Sequence, residues 1–198
     1  NGWLLAPASS EDFLWSMFAD ISKDNGRTWA ASERQNIFHQ GETAATWYNR
    51  LLDRSPLRKK RGIIQPTFWE SAPGHVHALM RSSEGRIYRA ESIDYGQTWS
   101  RPEKTELPNN NSGIDAVKLP NGHVYLVYNP VDKNWGKRYP ISLALSKDDG
   151  LSWTKVTDLE DGCGNSELSY PCIQYEDGYL YITYTRNRTN ISFRILRP

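Results

Sequence analysis

Short runs of alternating hydrophobic and polar residues, rich in Val, Ile, Tyr, Phe and Trp, fill most of this chain and predict β-strands rather than helices. Three such runs, at 63–70, 75–81 and 86–94, are separated by Pro/Gly turns. Runs at 114–119, 123–128 and 141–147 repeat the order, and 170–175, 179–184 and 191–196 begin it again. At the start, 3–6 and 13–21 read as the second and third strands of a unit with no innermost strand ahead of them. The fold class is all-β.

Each complete run of strands closes on the same octapeptide, S-x-D-x-G-x-[T/S]-W. It occurs as Ser22 to Trp29, Ser92 to Trp99 and Ser146 to Trp153. An Asp carboxylate that accepts backbone N–H bonds, a Gly at positive φ and a Trp leaving the turn together predict a tight hairpin. The opening serines are 70 residues (22 to 92) and 54 residues (92 to 146) apart. A four-stranded unit needs about 45–50 residues, so the longer interval carries an insertion, placed between about Ile37 and Gly62. Repetition at this span means a solenoid, a propeller or an array, whose units bury their apolar faces against one another. Trp29, Trp99 and Trp153 are all expected between sheets.

Composition narrows the function classes. The 198 residues are 38% hydrophobic, enough for a core, and 24 Lys+Arg against 23 Asp+Glu leave a net charge of +1. Neither nucleic acid nor a membrane is an expected partner: the charge is balanced and no apolar stretch approaches ~18 residues. The one basic run, 58–61, reads as a solvated loop. The first residues lack a signal-peptide pattern, and Cys163 and Cys172 fit a pair or two free thiols, so the compartment stays open. Asn110, Asn187 and Asn190 open N-x-[S/T] acceptor patterns, relevant only to a secreted eukaryotic protein. His39, His75, His77 and His123 show no metal-ligand spacing, so no metal and no cofactor are expected; His75 and His77 alternate along one strand face.

The octapeptide resembles the Asp box of sialidases (neuraminidases) and related six-bladed β-propellers, where it joins the two outer strands of a blade. More specific stretches are 85–89 (Gly-Arg-Ile-Tyr-Arg), 107–115, 128–130 (Tyr-Asn-Pro) and 167–171 (Glu-Leu-Ser-Tyr-Pro). They resemble the C-terminal half of neuraminidases with BNR repeats. The resemblance implies one β-propeller domain over 1–198, about three and a half blades, incomplete at its N-terminus.

In a propeller, first strands line the central channel and ligands sit at the mouth, with the loops that follow second strands. Gln65, Asp115 and Tyr170 lie nine, seven and eight residues before the turn glycines Gly74, Gly122 and Gly178, near the starts of first strands. Seven residues beyond those glycines stand Arg81, Asn129 and Thr185, at the ends of second strands. Polar residues therefore collect at one rim.

The resemblance also implies roles. Tyr170 matches the family's nucleophilic tyrosine, and a neutral phenol approaches an anionic sugar more readily than a carboxylate does. Arg81 and Arg138 match two arginines of the carboxylate clamp, whose planar forks bind a carboxylate bidentately. The glutamate partner of the tyrosine is replaced by Gln65, which cannot accept a proton, and Glu167 is the nearest substitute. Asp115 and Asn129 are further substrate-binding candidates. A first arginine and an acid/base aspartate would come from blades upstream of Asn1. The leading expectation is a sialidase-like exo-glycoside hydrolase acting on a terminal anionic sugar, with a glycan as partner. The alternatives are a polysaccharide lyase or non-sialic glycosidase on the same propeller, or a non-catalytic carbohydrate-binding propeller.

Overall fold

A computed structural model describes residues 1–12, 14–37 and 61–198. His39, residues 58–60 of the basic run and nearly all of the expected insertion lie outside the described residues; Arg61 pairs with Glu84 at 2.7 Å. Among the described residues every regular element is a β-strand. The first unit holds β1 (Leu4–Ser10), β2 (Leu14–Ser22) and the two-residue β3 (Ala30–Ala31). The second holds β4 (Arg61–Ala72), β5 (His75–Ser82), β6 (Arg86–Ser92) and β7 (Glu103–Pro108). The third holds β8 (Asp115–Lys118), β9 (Val124–Tyr128), β10 (Ile141–Ser146) and β11 (Thr154–Glu160); the last holds β12 (Leu168–Glu176), β13 (Tyr179–Arg186) and β14 (Asn190–Leu196).

Within each unit neighbouring strands are antiparallel and consecutive. The first two units are joined into one sheet by a short parallel pairing of Leu14–Trp15 with Arg61–Gly62. Only glycine fits at Gly62. Its φ is +142°, and a Cβ there would stand 2.2 Å from the Trp15 carbonyl oxygen.

The three octapeptides fold alike, each between the two outer strands of its unit. Asn25–Gly26, Tyr95–Gly96 and Asp149–Gly150 carry the paired positive φ values of a tight hairpin. The Ser22 hydroxyl accepts from the Gly26 N–H at 2.8 Å, and Asp24 Oδ1 accepts from the Thr28 N–H at 2.8 Å. Asp94 takes the Thr98 N–H and Asp148 the Ser152 N–H at 2.9 Å each. The aspartates are therefore structural.

The core lies between units, because the two faces of each strand pack on different neighbours. Val76, Ala78 and Met80 of β5 pack with Met17, Ala19 and Ile21 of the first unit. Leu79, from the opposite face, packs with Ala116, Val124 and Leu126 of the third. Tyr125, Val127 and Leu143 then meet Leu180, Ile182 and Tyr184 of the last unit. Each fully buried aliphatic side chain contributes about 1.5–3 kcal/mol, so this interlock holds the blades together.

The same arrangement corrects one expectation. Trp99 is buried and stacks on Phe68 at 5.0 Å, in the core shared with the first unit, and Trp153 packs on the core shared by the second and third. Trp29, however, is 47% exposed. Each box tryptophan reaches toward the unit before its own, and among the described residues none precedes the first. The far face of the last sheet is likewise open: Ile191, Phe193 and Ile195 of β14 are exposed. Cys163 and Cys172 are free and exposed.

Candidate functional site

Two of the innermost strands share an irregularity at their starts. In β4 the register with β5 shifts between Ile64 and Thr67, around Gln65 and Pro66. In β12 the register with β13 shifts between Ser169 and Cys172, around Tyr170 and Pro171. Gln65 and Tyr170 adopt φ values of 51° and 52°, left-handed conformations that non-glycine residues seldom hold. Bulges of this kind re-aim a side chain out of the strand's alternation. The third innermost strand, β8, has no such bulge, and Asp115 takes an ordinary backbone there.

These bulges bring the two arginines and the tyrosine together. Arg81, buried at the end of β5, donates from Nη1 to Gln65 Oε1 at 2.9 Å. Arg138 comes from the loop between β9 and β10, and its guanidinium lies 5.5 Å from the centre of the Tyr170 ring. Partial burial pushes the Tyr170 phenol up, but hydrogen bonding and charge from Arg138 and Arg81 outweigh it and hold the phenol below the ordinary tyrosine value. Burial pushes the Arg81 guanidinium down, opposed by Tyr170 and by the charge of Glu11. Tyr170 is 47% exposed.

Glu167 sits behind this group. Its carboxylate receives Arg138 Nη1 at 2.9 Å, Arg188 Nε at 2.9 Å and the Ser169 hydroxyl at 3.0 Å. Partial burial raises its pKa, yet Arg188, Ser169 and the charge of Arg138 together hold it below the ordinary carboxylate range. An anion so engaged fixes the Arg138 side chain, and Tyr170 is not among its hydrogen-bond partners.

Asp115 and Asn129 turn into the scaffold. Asp115 accepts from Thr67 Oγ1 at 2.9 Å, from its neighbour Ala116 N at 3.0 Å and from Ile173 N at 2.9 Å, tying β4, β8 and β12 together. Burial raises its pKa against those hydrogen bonds. Asn129 is fully buried and donates to the carbonyls of Pro140 and Leu168, two residues before Tyr170. The Asn-rich loop between β7 and β8 packs on the tyrosine: a Cβ at Gly113 would lie 3.2 Å from the Tyr170 ring.

Sequence reasoning missed Glu11 and Arg188. Glu11 lies in the turn between β1 and β2, which corresponds to the loops after second strands already assigned to the mouth. Arg188 had no such signal, since it reaches Glu167 only through the β13–β14 turn.

The sequence pattern of the BNR repeat-like domain matches residues 1–182. The chain belongs to the BNR repeat-like family. The BNR-repeat chain is similar in structure to NanB sialidase from Streptococcus pneumoniae, with a TM-score of 0.66 at 18% identity, over 93% of this chain and 26% of that one. It is also similar to Trypanosoma rangeli sialidase captured as a covalent intermediate with 2,3-difluorosialic acid (TM-score 0.64, 19% identity, 99% of this chain and 29% of that one). A protein of unknown function from Dyadobacter fermentans gives a TM-score of 0.67 at 21% identity, over 98% of this chain and 49% of that one. No curated protein sequence matches. The BNR-repeat chain thus has the sialidase-like β-propeller fold, and it spans between a quarter and a half of the length of these structures.

Proposed function

We propose that this chain supplies the tyrosine and arginine side of a glycoside hydrolase site for a terminal anionic sugar. The observation that carries the reading is the half-exposed Tyr170, whose ring lies 5.5 Å from the Arg138 guanidinium and whose phenol is held down by Arg138 and Arg81. A sugar carboxylate placed between Arg81 and Arg138 finds two cationic forks, and it brings its anomeric carbon to the phenol. Tyr170 Oη gives up its proton and bonds to that carbon as the glycosidic bond breaks, the leaving oxygen departs as the protonated alcohol, and water then adds to the same carbon, releasing the sugar and returning a proton to Tyr170. The trapped intermediate of the Trypanosoma rangeli sialidase supports a covalent route. Glu167 acts here as a positioning residue for Arg138. The arginines replace a dedicated base, because they favour the phenolate directly.

The test is Tyr170→Phe in the full-length protein. Binding of an anionic sugar should survive while turnover falls by several orders of magnitude. Wild-type turnover in that variant would overturn the assignment. Gln65 favours a second reading, in which the same propeller handles an uncharged glycoside or a uronate polymer without a tyrosine nucleophile. Cleavage of such a substrate and of no sialoside would select it.

A further inference from the structure

At the opposite end of β5 from Arg81 stands a cluster that the proposed chemistry does not use. His75 and His77 open β5, and Glu91 lies beside them on β6, paired with His77 in the sheet register. Their ligand atoms all lie within 4.8 Å of one another. His75 Nε2 is 3.1 Å from Glu91 Oε2, and His77 Nδ1 is 3.4 Å from Glu91 Oε1. A tetrahedral ion with bonds of about 2.0–2.1 Å separates its ligands by about 3.3 Å, close to the distance of each imidazole nitrogen from one oxygen of the Glu91 carboxylate, and the three groups lie within 4.8 Å of one another.

We propose that His75, His77 and Glu91 bind a zinc-class divalent cation, with solvent in the fourth position. Two further features fit a ligating histidine. His77 is only 3% exposed, and its ring stacks on Trp69 at 5.3 Å. Its other nitrogen, Nε2, meets the Ser71 hydroxyl at 2.7 Å, the outer hydrogen bond that fixes which nitrogen faces a metal. The half-exposed His75 and Glu91 side chains leave a path from solvent.

Arg89 is the competitor. It pairs with Glu91 Oε1, and its Nη2 stands 3.5 Å from His77 Nδ1. Among the described residues its buried Nε has no hydrogen-bond partner, so the guanidinium is incompletely held. On the proposal it is a resident positive charge that a metal displaces, and it sets the affinity. The cation would tie β5 to β6, roughly 13–20 Å along β5 from Arg81 at about 3.3 Å per residue, and so would be structural rather than catalytic.

The probe is Zn²⁺ alone, titrated into the chain with Cys163 and Cys172 alkylated, followed by calorimetry. One ion should bind per chain. His75→Gln and Glu91→Gln should each weaken binding at least tenfold, Ser71→Ala about tenfold, and Arg89→Met should tighten it. Because Glu91→Gln could unfold, Co²⁺ substitution gives an independent readout. Intense visible bands of a tetrahedral ion should appear in wild type and vanish in the half-exposed His75→Gln variant. Affinity unchanged by His75→Gln, or no binding in either wild type or Arg89→Met, would overturn the proposal.

Discussion

Gln65 and Tyr170 are two copies of one backbone kink: each holds a left-handed φ, at 51° and 52°, each precedes a proline, and each opens an innermost strand. Arg81 donates to Gln65 at 2.9 Å, and together with Arg138 it holds the Tyr170 phenol below the ordinary tyrosine value. The residue that shares the Arg81 fork is thus an uncharged amide.

That geometry makes Gln65→Glu informative in the full-length protein. A carboxylate at the end of the Arg81 fork could take the phenolic proton, so turnover of an anionic glycoside should rise. The pH–rate profile should gain an acidic limb as that carboxylate titrates. Unchanged turnover and profile would show that Tyr170 chemistry does not pass through this position.

Arg81→Lys separates charge from shape. The guanidinium is buried and donates to Gln65, whereas an ammonium offers no planar fork. Affinity for carboxylated sugars should fall about tenfold or more, with affinity for uncharged sugars little changed. Equal losses for both classes, measured by calorimetry, would point to a folding defect instead.

The box tryptophans should differ in value by position. Trp99 is buried, and Trp99→Ala should cost about 3–5 kcal/mol. Trp29 is 47% exposed in the same motif, and Trp29→Ala should cost under about 1 kcal/mol. Urea unfolding of the two variants gives the comparison. Equal costs would contradict the packing of each box against the preceding unit.

Acid should weaken the hairpins late. Hydrogen bonds from the Thr28 hydroxyl and N–H, and from Ser22, hold Asp24 down to about 2, and Ser152 and Ser146 hold Asp148 down to about 2. Both folded values lie below the unfolded aspartate value of about 3.9, so their stabilisation is complete above it and is lost as pH falls through about 2. The melting-temperature gap between wild type and Asp148→Asn should be constant near neutrality and close between about pH 4 and pH 2. A gap that closes above about pH 5 would assign the effect to another group.

The sequence by itself determined the elements and their order. Period-two runs, X-Gly turns and three copies of S-x-D-x-G-x-[T/S]-W encode local structure, because a hairpin is decided by residues within a few positions of one another. Counting from turn glycines also placed Gln65, Arg81 and Tyr170 at one rim, since strand length converts sequence offset into position along the sheet. What lies across units was not legible. The exposure of Trp29, the use of Asp115 to tie three strands, and the capture of Glu167 by Arg138 and Arg188 each depend on a neighbour tens of residues away or on none. The His75, His77 and Glu91 cluster was hidden for the same reason. An i, i+2 pair of histidines becomes a three-ligand group only when antiparallel register sets Glu91 opposite His77, and register is a property of the folded sheet.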